Sequence, residues 1–266
     1  MRNTVTTALT AIALLGMPVA SSANADTIET TEATLSTEAH AEWTTLLSRY
    51  VVESDDGVNR FDYGALKDNA ADSSALDAYI ESFASIDVDA LSRDERYVLW
   101  VNAYNAVTVQ HIIGRYPLRS IRSGYLIGPW KQVKTDVGGR EISLNDIEHE
   151  VLRVEWDEPR THYAVNCASY GCPNLKASAW EVGTLEQDLT EAAVAYINHP
   201  RGVTVRNDGR LKVSTIYKWF KEDFGGNEAG IIDHLLEYAE PELAEQINAR
   251  RDIRSYDYDW SLNDVE

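Results

Sequence analysis

The sequence predicts an α+β fold: a single compact domain of mixed helices and hairpins with a small central sheet. Three observations carry this. Helical and extended apolar periodicities alternate irregularly along the chain. Two pairs of short extended runs flank Gly138-Gly139 and Asn207-Asp208-Gly209, which are hairpin signals. There is no regular βαβ repeat of the kind that builds parallel sheets.

Taken in order, 41–51 and 74–83 read as helices, and 93–115 is the strongest helix of the chain, ended by Pro117. Residues 131–136 and 140–143 read as the first hairpin. A helix over 144–153 starts with Ser143 as N-cap and Asp146 three residues on, a capping box. Residues 161–167 read as a strand and 185–197 as a helix. The second hairpin joins 203–206 to 211–213. A helix over 215–224 is stopped by Gly225-Gly226, and 231–239 and 241–249 are further helices. In 256–262, Tyr256, Tyr258, Trp260 and Leu262 alternate with polar residues, which is strand periodicity.

The organisation is a signal peptide over 1–25, an acidic flexible leader over 26–40 and one globular domain over 41–266. Ala8–Ala20 is an apolar run too short to span a bilayer, and Ala23-Asn24-Ala25 offers the small-x-small pattern of a cleavage site. A periplasmic or secreted protein is expected, with no membrane span after cleavage. The net charge of −19 argues against nucleic acid and anionic lipid as partners. No cofactor is expected. A zinc site from Cys167, Cys172, His149 and His162 is conceivable, but nothing in the spacing requires it. His149-Glu150-Val151-Leu152-Arg153 has Arg where a zinc-protease motif needs its second His.

Polar residues in apolar places mark a candidate site. Glu148 falls inside the stripe of Leu144, Ile147, Val151 and Leu152, with His149 at its margin. Asp223 falls inside the stripe of Ile216, Trp219, Phe220 and Phe224. Carboxylates are rarely buried unless paired, so both imply partners such as Arg153, Arg160 or a histidine. Helix 93–115 is apolar almost all round, yet carries Asn102 and Asn105 on one face. Buried amides must be hydrogen-bonded, either by tying the helix to loops or by orienting a catalytic histidine.

Cys167 leads into a Gly-containing loop and has three readings: a disulfide with Cys172, a reactive thiol, or an inert or metal-bound sulfur. If 161–167 is a strand, His162 lies on the face opposite Cys167 and roughly 16 Å away. The base for a Cys167 nucleophile is then His149.

Five blocks resemble the family called domain of unknown function 547. They are Trp100-Val-Asn102-Ala-Tyr104-Asn105, then 143–153, 159–173 and 214–224, and finally Tyr256-Asp-Tyr258-Asp259-Trp260-Ser-Leu262-Asn263. The resemblance implies identity rather than activity. It singles out Asn102, Asn105, Glu148, His149, His162, Cys167 and Asp223. It also implies that the fold does not require a 167–172 disulfide, because some plant members keep the Cys167 position without that of Cys172.

Two functions follow as expectations. One is a cysteine-dependent hydrolase or acyl transferase with an envelope or extracellular substrate: Cys167 attacks, His149 is the base, and Asn105 or Asp223 orients it. Tyr104, Asn102, Glu148, Arg160, His162 and Asn166 would then line or support the site, with Arg160 receiving an anionic group. The other is a non-catalytic binding or scaffold module pinned by a Cys167–Cys172 disulfide.

Overall fold

The computed structural model describes residues 37–265. The signal peptide expected over 1–25 and most of the leader expected over 26–40 lie outside these residues. Thr37–His40 is a 3-10 turn that leads straight into the helix Ala41–Tyr50, and His40 is buried with its Nδ1 2.7 Å from the Tyr79 hydroxyl.

The fold is α+β, as the periodicities predict. Helix Arg93–Ile113 runs through the main core because nearly every face of it is apolar. Ser92 caps it in a capping box with Glu95. Helices Ala41–Tyr50, Tyr63–Asp68 and Ala70–Ser82 pack around it. A second core is formed by Leu185–Ile197, Glu228–Tyr238 and a three-stranded sheet. That sheet pairs Val203–Val205 with Leu211–Ser214 antiparallel, and Leu211–Ser214 with Ile253–Asp257 parallel. The strands thus form three separate small sheets, and a helix occupies the centre of the main core. Both hairpins form where the glycines predict them, the first in the register Lys134↔Ser143.

Four predicted segments differ from expectation, and all four border the site; the fourth, 256–262, is strand only as far as Asp257. The helix begun by the Ser143–Asp146 capping box continues as a π-helical turn over Ile147–Leu152, where the Arg153 N–H donates to the Glu148 carbonyl. Helix 215–224 is broken: Ile216–Trp219 is helical, Phe220 leaves helical geometry, and Lys221–Phe224 is a 3-10 turn. Gly225 then closes it at φ +84, beside Gly230.

The third difference is the largest. Residues 161–167 form no strand; Thr161–Ala164 is a short helix followed by extended Val165. The alternation seen in the sequence comes from the two cores. Tyr163 packs into the second core, while Ala164 and Val165 pack into the first. The segment runs along the seam between them, so its neighbours point both ways without strand geometry.

Candidate functional site

A cavity of ≈ 430 Å³ opens at that seam. Tyr104, Glu148 and Val165 line it from the first core's side, and Ile216, Phe220 and Tyr258 from the other. His149, His162, Cys167 and Cys172 also face it. The helical turn at Thr161–Ala164 therefore brings His162 and Cys167 to one cleft, where a strand would have set them on opposite faces.

The two thiols are free and their sulfurs lie 2.6 Å apart. The loop between them is held tightly. Asn105 Nδ2 donates to the Ala164 carbonyl at 3.0 Å, and its Oδ1 accepts the Asn166 N–H at 2.8 Å. Asn166 Nδ2 donates to the Pro173 carbonyl, and its Oδ1 accepts the Ala168 N–H. Ala168 sits at φ +58, a left-handed backbone costing a residue with a Cβ roughly 1–2 kcal/mol. Such strain persists only where surrounding contacts fix it. Gly171 meets the segment after the last strand so closely that a Cβ there would lie 2.9 Å from the Asp259 backbone. This contact, with hydrogen bonds from Tyr170 and Gly171 N–H to Ser261 and Asp259 carbonyls, seats Tyr258 over the sulfurs. Its hydroxyl is 3.2 Å from Cys167 Sγ and 3.1 Å from Cys172 Sγ.

The sulfurs are not equivalent. Cys172 Sγ accepts the Cys167 N–H at 3.0 Å and lies within reach of the Tyr258 and Ser169 hydroxyls. Burial disfavours its thiolate, but hydrogen bonds from the Cys167 thiol, Tyr258, the Cys167 amide and Ser169 outweigh this and bring its pKa down to about 6. The hydrogen bond to Cys172, with burial, pushes the Cys167 thiol up. Negative charge thus settles on buried Cys172, while partly exposed Cys167 keeps its proton.

Both misplaced carboxylates have partners. Burial pushes Glu148 up to about 7, opposed by the Tyr104 hydroxyl that donates to its Oε2 at 3.2 Å. Asp223 accepts Arg153 Nε at 2.5 Å, Arg153 Nη2 at 2.7 Å and His162 Nε2 at 2.7 Å. Burial works against its ionisation, yet these bonds and charges hold the carboxyl well below the usual range. Burial lowers the His162 pKa and Asp223 offsets this in part, so the ring is neutral near pH 7 with Nε2–H on Asp223. Its ring stacks on Phe220 at 4.0 Å between centroids.

The other predicted residues take humbler places. His149 is at the exposed rim, and its Nδ1 accepts Arg153 Nη1 at 2.7 Å. That lone pair is occupied, so the base expected there is not available at Nδ1. Asn105 pins backbone and orients no imidazole. Asn102 clamps the backbone of Trp180 with both its amide atoms. Arg160 lies outside the cleft, bidentate to Glu158 and bonded to Glu186. Sequence reasoning missed Tyr258, Trp130, Trp219, Trp260, Arg122 and Asn145, all of which line the cavity. Tyr258 and Trp260 carried a signal, the alternation over 256–262, but it read as a strand; the strand ends at Asp257. Among the described residues, no group of three or more His, Cys, Asp and Glu side chains is placed to hold a metal ion.

On a helical and hairpin scaffold, one cleft brings together a thiol pair with one sulfur buried, a histidine backed by Asp223 and a carboxyl held by Tyr104. Residues 88–197, which include the thiols, Glu148, His149 and His162, match the model of the family described as protein of unknown function, DUF547. Over these residues the chain is similar to that family. No curated protein and no solved structure matches the chain.

Proposed function

We propose that the protein is an exported cysteine-dependent hydrolase or acyl transferase, with Cys167 as nucleophile and Cys172 as its base. The observation carrying this reading is the placement of Cys167 Sγ 2.6 Å from a sulfur whose surroundings favour the thiolate. A carbonyl substrate entering the cleft meets Cys167, the more exposed sulfur. As the Cys167–carbon bond forms, the Cys167 proton passes to Cys172. Collapse of the tetrahedral adduct expels the leaving group, which takes a proton from Glu148, a carboxyl that carries one about half the time near pH 7. Water or an acceptor alcohol or amine then attacks the thioester, and His162 Nδ1, backed by Asp223, takes its proton; the carbon–sulfur bond breaks, Cys172 returns its proton to the Cys167 sulfur, and the His162 proton passes through solvent to Glu148. Export rests on residues 1–25 and belongs to the same proposal.

Sulfur proximity also favours a second reading, a binding module in which the two cysteines are joined. One experiment separates them. Mature protein is treated with iodoacetamide, with and without prior reductant, and modified cysteines are located by mass spectrometry. The enzyme reading expects Cys167 labelled without reductant and labelling lost in Cys167→Ser. Labelling only after reduction supports the module.

A further inference from the structure

We propose that the loop from Arg119 to Lys131 docks the protein on an anionic lipid surface, with the mouth of the cleft facing that surface. The chain carries −19 overall, yet has no Asp or Glu anywhere from Arg96 to Thr135. Within that stretch Arg115, Arg119, Arg122 and Lys131 are exposed, and among the described residues none of the four pairs with a carboxylate. Lys134 is excluded because Glu141 binds it.

At the tip of this basic loop stand Leu126, 100% exposed, and Ile127, 88% exposed. No other large apolar side chain among the described residues is as bare. The tip is built. Gly124 at φ +81 and Gly128 at φ +114 bracket it, and both conformations favour glycine. Arg115 ties its base by donating to the Ser123 carbonyl and lying 4.5 Å over the Tyr125 ring. Side chains of increasing polarity follow from the tip: aliphatic Leu126 and Ile127, aromatic Tyr125 and Trp130, then the cations. Amphipathic elements at a bilayer surface use the same sequence, with aliphatic groups below the headgroups, aromatic rings among them and cations on the phosphates.

Charge also sets the orientation. An anionic surface repels the rest of the molecule, so this face is the one that can approach. Arg122, Ile127 and Trp130 line the cleft as well, so docking brings its opening to headgroup level. The global acidity that excludes anionic lipid for the whole chain does not hold for this face.

The test is flotation with phosphatidylcholine vesicles, alone or with about a third phosphatidylglycerol. Both the full chain and the chain from Asp26 are used, since the apolar run over 8–20 can bind lipid by itself. The shorter chain is expected to bind anionic vesicles at least ten-fold more tightly than neutral ones. Leu126→Ser, and separately Arg119→Gln with Lys131→Gln, should each remove that preference while Cys167 alkylation is unchanged, since none of these three residues lines the cleft. Equal binding to both vesicle types, no binding to either, or variants that bind like the parent would overturn the proposal. None of these outcomes bears on the thiol chemistry, which the alkylation arm reads separately.

Discussion

Glu148 shows how one side chain couples burial to chemistry. Its carboxyl titrates near pH 7 in the folded chain against about 4.5 in the open chain. Between those values the folded state holds a proton that the unfolded state has lost, so stability falls as pH rises through this window. The full effect is on the order of 3 kcal/mol. Glu148→Gln should flatten the decline between about pH 5 and pH 8, read as urea midpoints at both pH values. Equal slopes in parent and variant would show that Glu148 is not buried as described. Asp223 has the opposite sign: its depressed pKa gives stability at neutral pH that disappears as pH falls through the acid range. Asp223→Asn leaves Arg153 without its carboxylate and should cost about 2–3 kcal/mol near pH 7 by chemical denaturation. A cost near zero would mean the Arg153–Asp223–His162 cluster is solvated and does not brace the site.

At the scale of elements, the thiol pair depends on a loop pressed against a strand extension. Gly171→Ala places a methyl 2.9 Å from the Asp259 backbone, which has no flexible end to yield. The variant should lose about 1–3 kcal/mol and alkylate more slowly, because Tyr258 leaves the sulfurs. Unchanged thermal midpoint and alkylation rate would contradict this account of Gly171.

The same elements explain what the sequence could and could not disclose. Glu148, Asp223, Asn102 and Asn105 were legible because a polar residue among apolar neighbours at helical spacing demands a partner. For Asp223 the partners Arg153 and His162 fall among the candidates the sequence offers (Arg153, Arg160 or a histidine), without a choice between them; for Glu148 the Tyr104 hydroxyl was not legible. Tyr104 and Glu148 are 44 residues apart, and Arg153 and Asp223 are 70 apart, so only the fold selects them. His162 was set away from Cys167 because period-two burial normally means a strand; here two cores flank one short helix. The π-turn at Ile147–Leu152 escaped for a related reason, since its sequence fits an ordinary helix until packing admits the extra residue. The α+β class and both hairpins were legible because turn chemistry and long apolar periodicities are local.

Across the whole molecule, the cleft lies where two cores share one segment. Tyr163 belongs to the second core and Ala164 and Val165 to the first, so neither can loosen without pulling on Thr161–Ala168. Thermal unfolding followed by near-ultraviolet and far-ultraviolet circular dichroism should give coincident single transitions. Two separated transitions would mean that the cores are independent and that the cleft is a loose boundary.

The central claim is that Cys172 withdraws the proton of Cys167. It is tested most directly by the pH dependence of Cys167 alkylation in the parent and in Cys172→Ser. Because Cys172 must be ionised to take that proton as Cys167 attacks, the account predicts a rate that follows the ionisation of Cys172, rising through about pH 6 in the parent. In Cys172→Ser that midpoint should move toward about 8.5, the range of an ordinary thiol. Identical profiles with a midpoint near that of a free cysteine would contradict it.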